Sequence, residues 1–368
     1  MQESAFSRTI KVVSCWRRKV RPLFNDIFLQ ACRKQKVPYT PVWFMRQAGR
    51  YQPEYRKIRS RYSFFEIGRR PDLCARVTRL PVEKLGVDAA ILFADIMTPI
   101  KARGIGIDLV EGVGPVARHP IRSGADFAAW RPLETARDLP YVIETVELLH
   151  HQLTVPLIGF AGAPFTLASY LIEGGPSRNY HRTKVFMYTR PDDWAALMND
   201  LAAMTLDYLR MQIRAGAQAV QVFDSWVGTL SVEDYRRYIA PTMIKIFTGL
   251  RESGAVILYF AAGAGHLLSE WNQLPVDVLS FDWHTSPGDL GRLHIDKAVQ
   301  GNLDPSLLLA PPALLKRRVT SLLDQMAGRP GYIFNLGHGV FPDVDEETLA
   351  ALTAFVHQHT RKDECSPT

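Results

Sequence analysis

The chain has 368 residues, with 44 Lys+Arg against 37 Asp+Glu and a formal net charge of +7. Apolar residues make up 47% and charged residues 22%, close to the globular average, which excludes bulk disorder. The longest mostly apolar stretch, Leu157 to Ile172, is broken by Gly159, Gly162 and Pro164, so no helical membrane span is expected.

The charge is concentrated at the start. Residues 1–61 hold 15 Lys+Arg and only three acids, Glu3, Asp26 and Glu54. Residues 1–21 carry Arg8, Lys11, Arg17, Arg18, Lys19 and Arg21 against one acid, and no apolar core of signal-peptide length. They read as a basic tail; a targeting segment, a flexible arm and a start placed too early all stay open. Cys15, Cys32, Cys74 and Cys365 show no C-x-x-C pairing and no zinc-ligand spacing. Thiols this sparse fit a reducing, cytoplasmic setting.

From residue 38 onward, short apolar runs alternate with longer helical patterns. The runs are Pro41–Met45, Ala89–Ala94, Pro156–Ala161, Ala219–Phe223, Ala255–Phe260, Val278–Phe281, Ala298–Leu303 and Tyr332–Leu336. They are rich in Val, Ile, Leu and Phe, as strands covered on both faces should be. Helices are predicted over Asp72–Leu85, Ala136–His151, Asp192–Ala215, Val232–Ser253, Pro311–Ala327 and Asp345–His359. Gly216, Gly254 and Gly328 stand at their ends. Eight βα repeats predict a single-domain (β/α)8 barrel over residues 22–360, with tails at 1–21 and 361–368; an open doubly wound sheet is the competing arrangement. In a barrel the functional residues follow the strand C-termini. Those positions hold Arg46, Asp95, Gly162–Pro164, Asp224–Ser225, Asp282, Asn302–Asp304 and Asn335–His338.

Several motifs carry no function. Gly112–Ala117 matches the dinucleotide pattern G-x-G-x-x-A, but Pro115 interrupts the turn and Arg118-His119-Pro120 opens no helix. His150, His151, His357 and His359 fall on polar helix faces and read as solvated. Arg46 and Arg50 adjoin an apolar strand, which does not suit an open nucleic-acid face.

The most informative segment is PVWFMRQAGRYQPEYR, residues 41–56. Arg46 and Arg50, four apart on a Gly-containing turn, form a fork suited to carboxylates or phosphates. Together with IGFAGAPFTLASYLIEGG (158–175), ILFADI (91–96), VFDSWVG (222–228), QGNLDP (300–305) and FNLGHG (334–339), this segment resembles the uroporphyrinogen decarboxylase family over residues 22–360. The resemblance implies a (β/α)8 barrel, a homodimer, and a carboxy-lyase without cofactor or metal. Its implied reaction converts the four acetates of uroporphyrinogen III to methyl groups, giving coproporphyrinogen III. It also implies that Arg46, Gln47, Ala48, Gly49 and Arg50 line the substrate cleft, with Asp95 at its centre and Tyr170, Ser225 and His338 in contact. Ile91, Phe93, Phe160 and Phe223 sit in the same motifs as an apolar wall. Phe260–Gly263 departs from the pattern, since many relatives carry a basic residue near Ala262, which puts an anion contact there in doubt.

That chemistry suits these residues. An octa-anionic tetrapyrrole calls for guanidinium groups, which stay charged and grip carboxylates bidentately. Protonating a pyrrole carbon makes the substrate its own electron sink, and a buried carboxylate stabilises the resulting cation. Arg46, Arg50, Tyr170 and His338 remain open as proton donors. The competing readings are a zinc- or corrinoid-dependent methyltransferase on the same barrel and a non-catalytic tetrapyrrole-binding protein.

Overall fold

The computed structural model describes residues 24–110 and 112–362. The basic tail, Cys15, Cys365 and the C-terminal tail beyond Lys362 lie outside the described residues. The strands are β1 (Ala90–Ile91), β2 (Ile107–Val110), β3 (Gly114–Ala117), β4 (Leu157–Gly162), β5 (Ala219–Phe223), β6 (Val256–Phe260), β7 (Val278–Ser280), β8 (Ala298–Leu303) and β9 (Tyr332–Leu336). Seven of them form one all-parallel sheet in the order β1-β4-β5-β6-β7-β8-β9. β2 and β3 form a separate antiparallel hairpin, so the G-x-G-x-x-A segment is a turn and strand and opens no helix, the last as its context predicted.

The first predicted run, Pro41–Met45, closes the ring without forming a regular strand. Val42 bridges Phe334 in parallel, and the Phe334 N–H donates to Pro41 O at 2.9 Å. On the other side the Asp88 N–H donates to Val42 O at 2.8 Å. The segment therefore lies between β9 and the entry to β1. Its ladder is thin for a physical reason. Pro41 has no N–H, and two others go to side chains: Val42 N–H to Asp88 Oδ2 (2.8 Å) and Met45 N–H to Asn335 Oδ1 (3.0 Å). The eighth stave is stapled by side chains. The fold is the predicted TIM-type barrel.

Asp88 anchors that closure from the N-terminal end of the barrel. It is 1% exposed and also accepts from Asn25 Nδ2 (3.0 Å), Tyr39 OH (3.1 Å) and His357 Nε2 (2.7 Å). The expectation that His357 is solvated is thus wrong. It sits half-buried against Tyr39, because the last helix packs its end under the barrel. His150, His151 and His359 are exposed as expected.

Helix boundaries follow the sequence within a residue or two at Pro71–Leu85, Pro191–Ala215, Pro312–Met326 and Glu346–Thr360. Two predicted helices split at prolines. Pro140 pushes Leu139 out of the helical region, separating Thr135–Asp138 from Pro140–Gln152. Pro241 has no N–H to continue the ladder, and Val232–Asp234 passes through a π-helical turn, Tyr235–Ile239, before Ala240–Arg251. Inside the barrel a polar layer crosses the apolar staves. Trp43 Nε1 donates to Gln300 Oε1 (2.7 Å), and Gln300 Nε2 donates to Gln221 Oε1 (3.1 Å) and to Ser280 Oγ.

Candidate active site

Parallel strands place all their C-terminal ends on one rim, and four predicted residues meet there. Asp95 follows β1, Tyr170 lies on the helix Pro164–Glu173 after β4, His338 follows β9, and Arg46 ends the stapled stave. Their charges act on one another. The Arg46 guanidinium pulls down the pKa of Asp95, Tyr170 and His338, and Asp95 pushes that of Tyr170 up. Ser225 stands on the same rim, half-buried two residues past β5.

Asp95 is half-buried in this cluster. Desolvation raises its carboxyl above the ordinary aspartate range, opposed by the Met97 N–H and then by the charges of Arg46 and Lys101. Oδ1 accepts from Met97 N–H at 2.8 Å, an Asx turn that fixes the side chain. Among the described residues, none hydrogen-bonds Oδ2. One oxygen is used to hold the group and the other remains available.

Arg46 is exposed and adopts φ +61°, a left-handed conformation that costs a non-glycine residue about 1–2 kcal/mol. Its side chain lies along Gly339, where an added Cβ would fall 2.3 Å from Arg46 Cδ. Only glycine leaves that path open. Gly339→Ala is expected to push the guanidinium aside and, if Arg46 binds substrate, to raise KM, with melting temperature within a few degrees of wild type. An unchanged KM would mean that the arginine reroutes freely. Glu54, the acid nearest the arginines in sequence, is taken by Lys84 at 2.9 Å, and Arg56 Nη1 donates to the Arg50 and Tyr51 carbonyls.

The rest of the turn divides by role. Arg50 is exposed, Ala48 and Gly49 are half-buried, and Gln47 is fully buried. The Gln47 amide is spent on backbone: Nε2 donates to Ala89 O (3.0 Å) and Oε1 accepts from Phe44 N–H (3.1 Å). It shapes the turn from beneath.

The aromatic wall also divides. Phe160 meets Phe223 edge-on at 5.4 Å, and Phe223 meets Phe260 at 5.9 Å. Phe93 instead packs on Tyr55 (5.6 Å) and Phe64 (4.7 Å), on the side of the helices that follow Arg50. Phe260 was missed as a wall residue although it ends β6. Trp226 was missed too: its ring packs on Tyr170 (5.8 Å) and Tyr180 (5.3 Å). Its place in VFDSWVG was the available signal.

Two groups considered as proton donors are set by burial. Desolvation, then Asp95, pushes the Tyr170 hydroxyl up to about 12. Desolvation, then Arg46, brings His338 down to about 4, so its ring is neutral near pH 7. A polar cavity of ≈460 Å³ lies after β6 and β7, lined by Gly263, His266, His284, Thr285, Asp289 and Arg292 among others. It does not include the cluster, which is defined by converging chemistry and not by enclosed volume. Among the described residues no three His, Cys, Asp or Glu side chains are grouped to hold a metal ion, and no helix is long and apolar enough to cross a membrane.

The family model described as "Uroporphyrinogen decarboxylase (URO-D)" matches residues 23–359. The chain belongs to the uroporphyrinogen decarboxylase family. A uroporphyrinogen decarboxylase from Geobacillus kaustophilus is 58% identical over 337 residues, covering 91% of this chain and 98% of that protein. Another, from Bacillus subtilis, is 54% identical over 342 residues, covering 93% and 97%. Among solved structures, a methyltransferase from Methanosarcina mazei superposes with a TM-score of 0.77 at 18% identity, covering 92% of this chain and 99% of that one. A B12-independent methionine synthase from Shewanella sp. W3-18-1 gives 0.54 at 12% identity, covering 78% and 87%. At such identities the likeness is one of fold alone. It places this member of the decarboxylase family on a barrel shared with methyl-transferring enzymes.

Proposed function

We propose that this chain removes carbon dioxide from the four acetate side chains of uroporphyrinogen III, leaving the methyl groups of coproporphyrinogen III. The observation that carries the reading is Asp95: a desolvated carboxylate with one oxygen held by backbone and the other without a hydrogen bond from the described residues, beside an exposed arginine. A proton added to the pyrrole carbon bearing the acetate creates an iminium-like cation. Asp95 accepts from the pyrrole N–H groups and stabilises that charge, more strongly here than in water because the site is partly desolvated. The carboxylate electrons then flow into the ring as carbon dioxide leaves. A second proton converts the exocyclic methylene to methyl, and the first is lost from the ring carbon. One proton is consumed per carbon dioxide released.

Neither Tyr170 nor His338 is a ready acid at neutral pH, given their shifts. Guanidinium is also a poor acid. The reading therefore routes the proton through water held by Arg46, while His338 and Ser225 orient the substrate and Arg50 holds a peripheral carboxylate. Arg46→Ala and Arg50→Ala are each expected to raise KM on the order of 10–100-fold, the loss of one charge-assisted contact. Unchanged kinetics would remove them from the cleft.

The acting form in this reading is a cytoplasmic homodimer with no nucleic-acid partner; light scattering at micromolar concentration tests the dimer. The methyltransferase alternative finds no grouped set of three metal donors among the described residues. The Cys32 and Cys74 thiols are buried, and desolvation pushes both pKa values up, Cys74 to about 12, so neither is a ready thiolate. Anaerobic incubation with uroporphyrinogen, following the stepwise loss of carboxyl groups by chromatography, tests the whole reading. Folded protein that leaves the octacarboxylate intact would overturn it.

A further inference from the structure

Asp224 is a titratable group that the mechanism above does not use. It follows β5 directly and precedes Ser225, yet it is fully buried. Gln221 points into the barrel, so by strand alternation Asp224 faces outward, into the layer between sheet and helices. Its two oxygens are both occupied. Oδ1 accepts from Thr166 Oγ1 and Oδ2 from Tyr259 OH, each at 2.8 Å. Burial pushes the carboxyl up to about 6, against the pull of those two hydroxyls.

Thr166 extends the contact to the rim. Its Oγ1 also accepts from the Trp226 N–H at 3.3 Å. It lies one turn before Tyr170 on the helix Pro164–Glu173, and the Ala163 N–H at that helix start donates to Phe223 O at 2.8 Å. The Trp226 ring in turn packs on Tyr170. One carboxylate thus fixes the direction of the Thr166 hydroxyl, the turn carrying Ser225 and Trp226, and the seat of Tyr170. We propose that Asp224 is a positioning residue for the decarboxylation, acting through Thr166 and Trp226 to hold Tyr170 and Ser225 at the substrate.

An acceptor-only group is needed there because both partners donate. Thr166 gives its proton to residue 224 and accepts from the Trp226 N–H through an oxygen lone pair. Asparagine turns its oxygen to only one of the two hydroxyls and sets an NH2 donor against the other, so one of these two hydrogen bonds must reverse or break. The inference rests on Tyr170 touching substrate, as proposed above, and its test separates the two.

Asp224→Asn is expected to lower kcat about tenfold with KM within about twofold in the wild-type background, and by less than about twofold in a Tyr170→Phe background, since residues acting as a unit are not additive. Thr166→Val should reproduce that coupling, and Thr166→Ser, which keeps the hydroxyl, should restore wild-type turnover. The threonine pair carries the test even if Asp224→Asn fails to fold. Equal losses in both backgrounds, or Thr166→Ser behaving like Thr166→Val, would overturn the proposal and leave Asp224 a packing residue. Wild-type turnover in Tyr170→Phe alone would instead overturn the role of Tyr170, and the coupling with it.

Discussion

Replacing Asp95 by asparagine is expected to lower turnover by ~10²–10³-fold, about 3–4 kcal/mol of transition-state stabilisation, as for other preorganised groups facing developing charge. The fold should survive, because asparagine keeps the oxygen that accepts from the Met97 N–H. The comparison to make is kcat on uroporphyrinogen beside the far-ultraviolet spectrum and melting temperature of the same preparation. A folded variant with more than about a tenth of wild-type turnover would remove the electrostatic role. The wild-type pH profile gives a second reading. Burial raises the Asp95 pKa, so the proton that silences it binds at a higher pH than at an ordinary aspartate. The acid limb of kcat should therefore lie above 3.8, the ordinary value for this group.

Replacing Asp88 by alanine is expected to cost about 3–5 kcal/mol of stability, the usual result of removing one partner from a buried, fully hydrogen-bonded charge. Val42 N–H, Asn25, Tyr39 and His357 lose their acceptor together, from a site that is 1% exposed. The Val42 N–H is the backbone group that would otherwise pair the closing stave with a neighbouring strand, so barrel closure should weaken first. Thermal unfolding should show a drop on the order of 10 °C. Activity measured well below the transition should fall much less, because Asp88 lies at the opposite end of the barrel from Asp95. A destabilisation under about 1 kcal/mol would mean that water replaces the carboxylate at no cost.

The contrast between Asp95 and Asp88 explains what was legible beforehand. Both are aspartates beside the same apolar run. Asp95 falls just after the strand's C-terminal end, where the barrel rule reserves positions for chemistry, and it lies in a recognisable motif. Asp88 falls at the N-terminal end and its partners come from residues 25, 39, 42 and 357, which no local pattern connects. The reading of His357 failed for the same reason. His357 lies on a helix face that reads as solvent-exposed, and only the docking of that helix under the barrel buries it. The arginine turn was legible as a cation cluster, but not that Gln47 would spend its amide on backbone while Arg46 reached outward.

The sequence by itself determined the eight-run alternation of the barrel, the helix boundaries away from Pro140 and Pro241, and the strand ends that share one rim. Those features follow from periodicity and from single-residue backbone preferences, which act over a few residues. Only the tertiary structure decided how the ring closes, that Gly339 makes room for Arg46, that Phe93 leaves the Phe160–Phe223–Phe260 wall, and that Asp224 reaches Thr166 and Tyr259. Each of these joins side chains far apart in the chain, whose meeting depends on the whole barrel having closed. The early basic excess is divided in the same way. Its first 21 residues lie outside the described structure, while Arg46 is drawn to one rim by the packing of β9 against the first stave.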